Sequence, residues 1–265
     1  MKIGFIGCGN MGGALAFATA KANIGEILLA NRTLSKAEAL AHEIGATIST
    51  NEEIAATCDF IFLGVKPHLL RDLLVSLSPT LSARADRFVL ASMAAGVTVA
   101  SIEAMAGKSY PIIRIMPNTP VSVGEGMILY AKNTSVTAEE EANFLTILAN
   151  AGKVDPIDEA LIDAASALSG CGPAFVCLFL EALADGGVKC GLPRDKAMQY
   201  AAQTVIGTGR LLVESGKHPG ALKDAVCSPG GSTIAGVAAL EEYAFRSAVI
   251  SAVEASFDRT KELGK

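Results

Sequence analysis

Two stretches of the chain hold residue types whose spacing can do chemistry. The first is Gly7-Cys8-Gly9-Asn10-Met11-Gly12, which follows the apolar run Lys2-Ile3-Gly4-Phe5-Ile6 and precedes an alanine-rich helical pattern from Met11 to about Asn23. A buried strand, a glycine turn and a helix are the setting in which G-x-G-x-x-G binds a dinucleotide. Gly7 permits the tight turn, Gly9 lets a pyrophosphate approach bare backbone, and Gly12 lets the helix pack on the strand. The free amides of the helix's first turn then meet the phosphates. The second stretch is Ser228-Pro229-Gly230-Gly231-Ser232-Thr233, with a helix expected from about Thr233. Pro229 stiffens it, the glycines expose backbone, and bare amides ahead of a helix attract a small anion such as a carboxylate. The hydroxyls of Ser232 and Thr233 are further hydrogen-bonding groups for a ligand. By itself the stretch also reads as a plain Ser/Thr cap after a glycine turn.

The elements that position these stretches alternate in the first half. Ile27–Ala30 reads as a second strand ending at Asn31-Arg32-Thr33. An acid about 20 residues past the last glycine would grip the ribose 2′-hydroxyl of NAD. Asn31, Arg32, Thr33, Ser35 and Lys36 stand there instead, a turn suited to the 2′-phosphate of NADP. Leu34–Ile44 reads as a helix, Ala46–Ile48 as a short strand, and Asn51 as the cap of the next helix. Phe60–Leu63 is a continuous apolar run typical of a central parallel strand. It stops at Gly64-Val65-Lys66-Pro67, where Pro67 starts the next helix. Phe88–Ala91 repeats the pattern and ends in Ser92-Met93-Ala94-Ala95-Gly96, small residues that allow close approach to a nicotinamide. Ile112–Ile115 and Met127–Tyr130 are further strands, and acids in the first turn mark a helix from Thr137 to Ala149.

Beyond Val154-Asp155-Pro156-Ile157 only helical patterns remain, so a Rossmann domain is expected over residues 1–157 and an all-α domain over 158–265. The fold class is α/β, a doubly wound, mostly parallel sheet, followed by helices. Ala160–Leu168, Pro173–Val188 and a long segment from Pro193 to about Glu214 are helical. The last helix aligns Phe245, Ala248, Val249, Ala252, Val253 and Phe257 on one face. The segment from Pro173 is apolar nearly all round, which requires burial on every side. Dimerisation through these helices is therefore expected.

A net charge of −5 with no Lys/Arg cluster excludes nucleic acid and anionic membrane as natural partners. Hydrophobic residues make up 51% of the chain, yet no uninterrupted apolar run reaches the roughly 18 residues of a membrane span. A strand at the N-terminus leaves no room for a signal peptide. The six cysteines form no C-x-x-C pair and have no metal-like spacing with the three histidines. Free thiols of a cytoplasmic protein, with no metal, are expected.

The chain resembles the pyrroline-5-carboxylate reductase family. The resemblance rests on Leu222-Lys223-Asp224 through Ser228–Thr233 to Leu240-Glu241. It is supported by Val65-Lys66-Pro67, Met93-Ala94-Ala95-Gly96-Val97, Asn118-Thr119-Pro120, Leu168-Ser169-Gly170, Gly172-Pro173-Ala174 and Ala184-Asp185-Gly186-Gly187-Val188-Lys189. It implies reduction of the cyclic imine 1-pyrroline-5-carboxylate to L-proline by NAD(P)H, and the Asn31–Lys36 turn makes NADPH the preferred coenzyme over NADH. It also implies a homodimer assembled into a larger oligomer such as a decamer. It assigns cofactor contacts to Ile6, Gly7, Cys8, Gly9, Asn10, Met11, Asn31, Arg32, Asn51, Gly64, Val65, Lys66, Pro67, Met93, Ala94 and Ala95, beside Gly12 of the glycine turn. Substrate falls to Gly230, Gly231, Ser232 and Thr233, with Thr233 catalytic and Glu159 on the substrate side. Cys171 stands where the family has serine, and Ala225 where some members have asparagine. A hydroxyacid dehydrogenase of the 6-phosphogluconate-dehydrogenase type would place a lysine and an asparagine four and eight residues past Gly172. Val176 and Leu180 stand there. A non-catalytic NADP(H)-sensing protein is the other alternative, opposed by the intact Ser228–Thr233 stretch.

Overall fold

The continuous apolar runs of the first half assemble into one eight-stranded sheet. The structure is a computed structural model and describes residues 1–263. It divides into two compact units, residues 1–171 with the end of the last helix from Ser256, and residues 172–255.

In the first unit the strands are β1 (Lys2–Ile6), β2 (Glu26–Ala30), β3 (Thr47–Ile48), β4 (Phe60–Leu63), β5 (Val89–Ser92), β6 (Ile112–Met116), β7 (Gly126–Lys132) and β8 (Gly152–Pro156). Their order is β3-β2-β1-β4-β5-β6-β7-β8. β1 to β6 run parallel, β7 is antiparallel to β6, and β8 is parallel to β7. The connecting helices are α1 (Asn10–Ala20), α2 (Leu34–Ile44), α3 (Asn51–Thr57), α4 (Pro67–Ala83), α5 (Val99–Ala106), α6 (Ala138–Ile147) and α7 (Ile162–Ser169). Helices cover both faces, which is why the central strands are apolar on successive residues rather than alternate ones. One face buries Ile3, Phe5, Phe62, Ile113 and Phe144, with Phe5 and Phe62 stacked at 4.7 Å between ring centroids. The other buries Ile61, Leu63, Leu70, Leu74, Leu90 and Ile102.

The acids after Thr137 close a capping box at the start of α6. The Glu140 amide donates to Thr137 Oγ1 at 3.2 Å and the Thr137 amide donates to Glu140 Oε2 at 2.8 Å. At α3 the cap is Thr50 rather than Asn51. Thr50 holds the extended backbone a cap requires, and its Oγ1 accepts from the Glu53 amide at 3.1 Å. Asn51 is the first helical residue, so its side chain is not spent on capping. α7 belongs with the sheet because Ile162 packs against Met116, Leu129 and Ala131.

The second unit is helical: α8 (Gly172–Lys189), α9 (Arg194–Ser215), α10 (Pro219–Ala225), α11 (Ser232–Glu242) and the first part of α12 (Phe245–Leu263). α8 and α9 meet through Ala184, Ala197 and Ala201, flanked by Leu180 and Val188. Burial of α8 on every side is not met within one protomer, where only its Ala184 is buried. Phe175, Leu178, Phe179 and Leu183 of α8 instead line an apolar groove of about 430 Å³, closed by Leu240, Phe245 and Val249. Within the helical stretch Glu159–Lys189 one 18-residue window reaches a mean hydropathy of 1.7, enough to cross a membrane by length and composition alone, although charged residues interrupt it. That stretch comprises a 3-10 turn, α7 and α8 rather than one uniform helix.

Candidate active site

The sheet brings five of the sequence-marked segments to one edge. Gly7–Gly12, Asn31–Arg32, Asn51, Gly64–Pro67 and Met93–Ala95 follow the carboxyl ends of β1, β2, β3, β4 and β5 respectively. The strand order reverses between β1 and β4, and ligands of open α/β sheets bind outside such a switch point.

At the centre, Ile6 is buried and Gly7 takes φ +98°, a left-handed conformation that favours glycine. A Cβ on Gly7 would press on Gly64, 2.7 Å from its carbonyl carbon, and one on Gly12 or Gly64 would strike the Gly7 carbonyl oxygen. These three glycines lock β1, α1 and the end of β4 together. Gly9 differs from them. Its backbone is extended (φ −71°, ψ −167°), and a Cβ there would meet nothing within 4 Å. No side chain caps α1. An uncapped helix start beside an open cradle fits a dinucleotide pyrophosphate, with the amides of Asn10 and Met11 as its donors.

The rim of the cradle is built by polar contacts. The Cys8 amide donates to Asn31 Oδ1 at 3.0 Å, and Asn31 Nδ2 donates to the Thr33 carbonyl at 2.8 Å. Asn31 therefore shapes the turn that presents the exposed Arg32. The Cys8 thiol is buried, and burial pushes its pKa up to about 11, so it is no nucleophile near neutral pH. Lys66 is the exposed N-terminal cap residue of α4, and Pro67 is its first residue, as the sequence indicates. Beyond β5, the Met93 amide donates to the Leu63 carbonyl at 3.3 Å, and the Ala94 amide to Ser92 Oγ at 3.4 Å. Gly96, at φ +73°, turns the loop toward α5.

Glu159 is already engaged inside the first unit. Its Oε1 accepts from the Val99 amide at 2.7 Å and pairs with Arg114 Nη1 at 3.4 Å; Arg114 Nη2 reaches Asp163 Oδ1 at 2.7 Å. Arg114 is 1% exposed. Sequence reasoning missed Arg114 and Asp163, although one arginine within Ile112-Ile113-Arg114-Ile115 is a signal, because a charge in a central strand must find partners.

In the second unit, Ser228–Gly231 form a turn closed by the Gly231 amide donating to the Ser228 carbonyl at 3.0 Å, with Gly230 at φ +68°. Gly231 is the cap residue of α11, and no side chain caps the helix. The plain Ser/Thr cap is therefore ruled out. The Gly231 amide is spent within the turn, so of this stretch the amides of Gly230, Ser232 and Thr233 are the ones that could receive an anion. Ser232 and Thr233 are exposed at the mouth of the helix.

Fold and cradle define the class of dinucleotide-binding α/β proteins, here with a helical second unit. Comparison with known proteins narrows the class. The family model for NADP oxidoreductase, coenzyme F420-dependent, matches residues 2–96, and the model for pyrroline-5-carboxylate reductase dimerisation matches residues 159–263. The chain is 41% identical to the pyrroline-5-carboxylate reductase of Escherichia coli (strain K12), over 100% of this chain and 98% of that one. It is 40% identical to pyrroline-5-carboxylate reductase 3 of Danio rerio, over 100% and 92% of the two chains. Among solved structures, pyrroline carboxylate reductase of Plasmodium falciparum with NADP bound superposes with TM-score 0.88 at 35% identity, covering 100% of this chain and 98% of that one. The Coxiella burnetii pyrroline-5-carboxylate reductase gives 0.90 at 33%, covering 99% and 98%. The chain belongs to the pyrroline-5-carboxylate reductase family. A 3-hydroxyisobutyrate dehydrogenase of Mycobacterium tuberculosis, at TM-score 0.52 and 13% identity, shares the fold alone.

Proposed function

We propose that this chain catalyses the NADPH-dependent reduction of 1-pyrroline-5-carboxylate to L-proline, the last step of proline biosynthesis. The observation that carries the reading is full-length similarity to pyrroline-5-carboxylate reductases in a chain that keeps both the open Gly9 cradle and the uncapped Ser232-Thr233 helix start.

A cyclic imine accepts hydride poorly until its nitrogen is protonated, which makes the adjacent carbon electrophilic. Such a substrate is partly protonated near neutral pH, so the protein's task is positioning, worth up to about 7–11 kcal/mol of a barrier. The amides of Asn10 and Met11 receive the pyrophosphate, while Arg32 and the turn built by Asn31 receive the 2′-phosphate of NADPH. Asn51, Gly64–Pro67 and Met93–Ala95 flank the rest of the cofactor. When bound, the reduced nicotinamide supplies the hydride that the imine carbon accepts. The amides of Gly230, Ser232 and Thr233 hold the substrate carboxylate, and the Thr233 hydroxyl hydrogen-bonds the ring nitrogen. The product leaves as a secondary amine with the same carboxylate.

The apolar α8 groove supports a homodimer through these helices, and the resemblance extends it to a larger oligomer such as a decamer. The six cysteines are all unpaired, which fits a cytoplasmic setting. Nucleic acid and membrane are not partners in this reading. The deciding assay is loss of NADPH absorbance (about 340 nm for any dihydronicotinamide) on adding pyrroline-5-carboxylate. Thr233→Ala lowers turnover strongly while NADPH binding persists; equal turnover removes Thr233 from the reaction.

A further inference from the structure

Arg114 stands on β6 directly opposite Ser92, the last residue of β5 in the parallel register. The loop expected to face the nicotinamide leaves the sheet at that point. Ser92 is buried, and its Oγ accepts the Ala94 amide. The loop re-enters regular structure at Val99, the first residue of α5, whose amide donates to Glu159 Oε1 at 2.7 Å. The same carboxylate oxygen is held by Arg114 Nη1 at 3.4 Å, and Asp163 Oδ1 takes Arg114 Nη2 at 2.7 Å. Arg114 is the largest fully buried side chain, and its Nε has no partner among the described residues. A buried cation with two carboxylates fixes both of them.

We propose that Arg114 is a positioning residue of the reduction. Through Glu159 it holds the far end of the Met93–Val97 loop while its own backbone lies beside the near end. The loop is thereby gripped at both ends by one strand residue. This rests on the reading of Met93–Ala95 as the nicotinamide contact. It assigns Glu159 to the loop rather than to the substrate. Arg114, fully buried, touches neither ligand and acts only through Glu159 and Asp163.

The test is steady-state kinetics of Arg114→Met, Arg114→Lys and Glu159→Gln, with NADPH deuterated at the transferred hydrogen and with hydrogen exchange of residues 93–99. The expected result for Arg114→Met is a fall of about tenfold or more in kcat, as small misplacements at a reacting centre produce. KM for NADPH stays within about threefold, since the phosphates are held elsewhere. The deuterium isotope effect grows, exchange of the 94–99 amides quickens, and Arg114→Lys recovers part of the loss. Glu159→Gln, whose side chain is partly exposed, keeps an acceptor for Val99 and covers the case in which Arg114→Met does not fold. It is expected to show the same signature more weakly. Unchanged kcat and isotope effect beside a lowered melting point would overturn the proposal, leaving Arg114 only a stabilising role. A raised KM for the imine in Glu159→Gln, with the Arg114 variants normal, would also overturn it, making Glu159 a substrate ligand. If NADPH gives the unsubstituted protein no exchange protection at residues 93–97, the reading of the loop itself fails, and the proposal falls with it. Protection together with normal variant kinetics defeats the proposal alone.

Discussion

The contrast between Gly9 and Gly12 gives the sharpest test of the cofactor cradle, because the two glycines sit three residues apart and serve opposite purposes. Gly9 has an extended backbone that any L-residue adopts, and a methyl there meets no protein atom within 4 Å. Gly9→Ala therefore carries no native strain. By restricting the unfolded chain it is expected to add about 0.4–1 kcal/mol of stability. The same methyl fills the space into which a pyrophosphate must come. Loss of close approach to two helix amides should weaken NADPH at least tenfold, about 1.4 kcal/mol. Gly12→Ala drives its methyl into the Gly7 carbonyl oxygen. Such overpacking costs about 1–3 kcal/mol, or several degrees of thermal midpoint at about 2–4 °C per kcal/mol in a domain of this size. Thermal unfolding and titration of NADPH fluorescence on both variants separate the effects. Gly9→Ala binding NADPH as tightly as the unsubstituted protein would refute the placement of the pyrophosphate. Gly12→Ala melting normally would refute the packing argument.

Three other outcomes follow from the same structure. Arg32→Ser should shift coenzyme preference from NADPH toward NADH, read as the ratio of kcat/KM values; an unchanged ratio would remove Arg32 from 2′-phosphate recognition. Phe179→Glu in the α8 groove, where Phe179 meets Phe245 at 5.8 Å between centroids, should shift sedimentation from dimer to monomer at micromolar concentration, and an intact dimer would move the interface elsewhere. Burial raises the thiols of Cys8 and Cys58 from 9.0 to about 11 each. At pH 8 only about one in a thousand is thiolate, so both should resist alkylation until the fold opens. The linkage has a definite sign. Below pH 9 both thiols are protonated in either state, whereas between pH 9 and 11 only the unfolded chain ionises, so stability should fall with rising pH across that window. Flat stability there, after other titrating groups are matched in a Cys58→Ala variant, would contradict the burial account.

The cofactor edge was legible because its grammar is local. A strand, three glycines and a helix lie within 20 residues, and Pro67 marks the start of α4 where it stands. The cap of α3 went to the wrong neighbour because Thr50 and Asn51 are both good caps, and only backbone conformation separates them. α5 and α10 were not anticipated, being only about two turns long with little room for periodicity. The Arg114 network was missed for a different reason. Its partners lie 45 and 49 residues away in sequence, and only the sheet brings them together. The Ser228–Thr233 turn was recognised, but nothing local reveals that the Gly231 amide closes it.

The two outer strands of the sheet carry a consequence for how copies of this chain meet. β3 has only two residues, and β8, Gly152–Pro156, sets Lys153, Asp155 and Pro156 along its margin. A strand that short offers almost no ladder to extend, and one holding charges and a proline resists a newcomer. Strand-to-strand annexation, the route to fibrils, is thus discouraged at both borders of the sheet, which fits the proposed pairing of copies through the oily helices at the other end of the polypeptide.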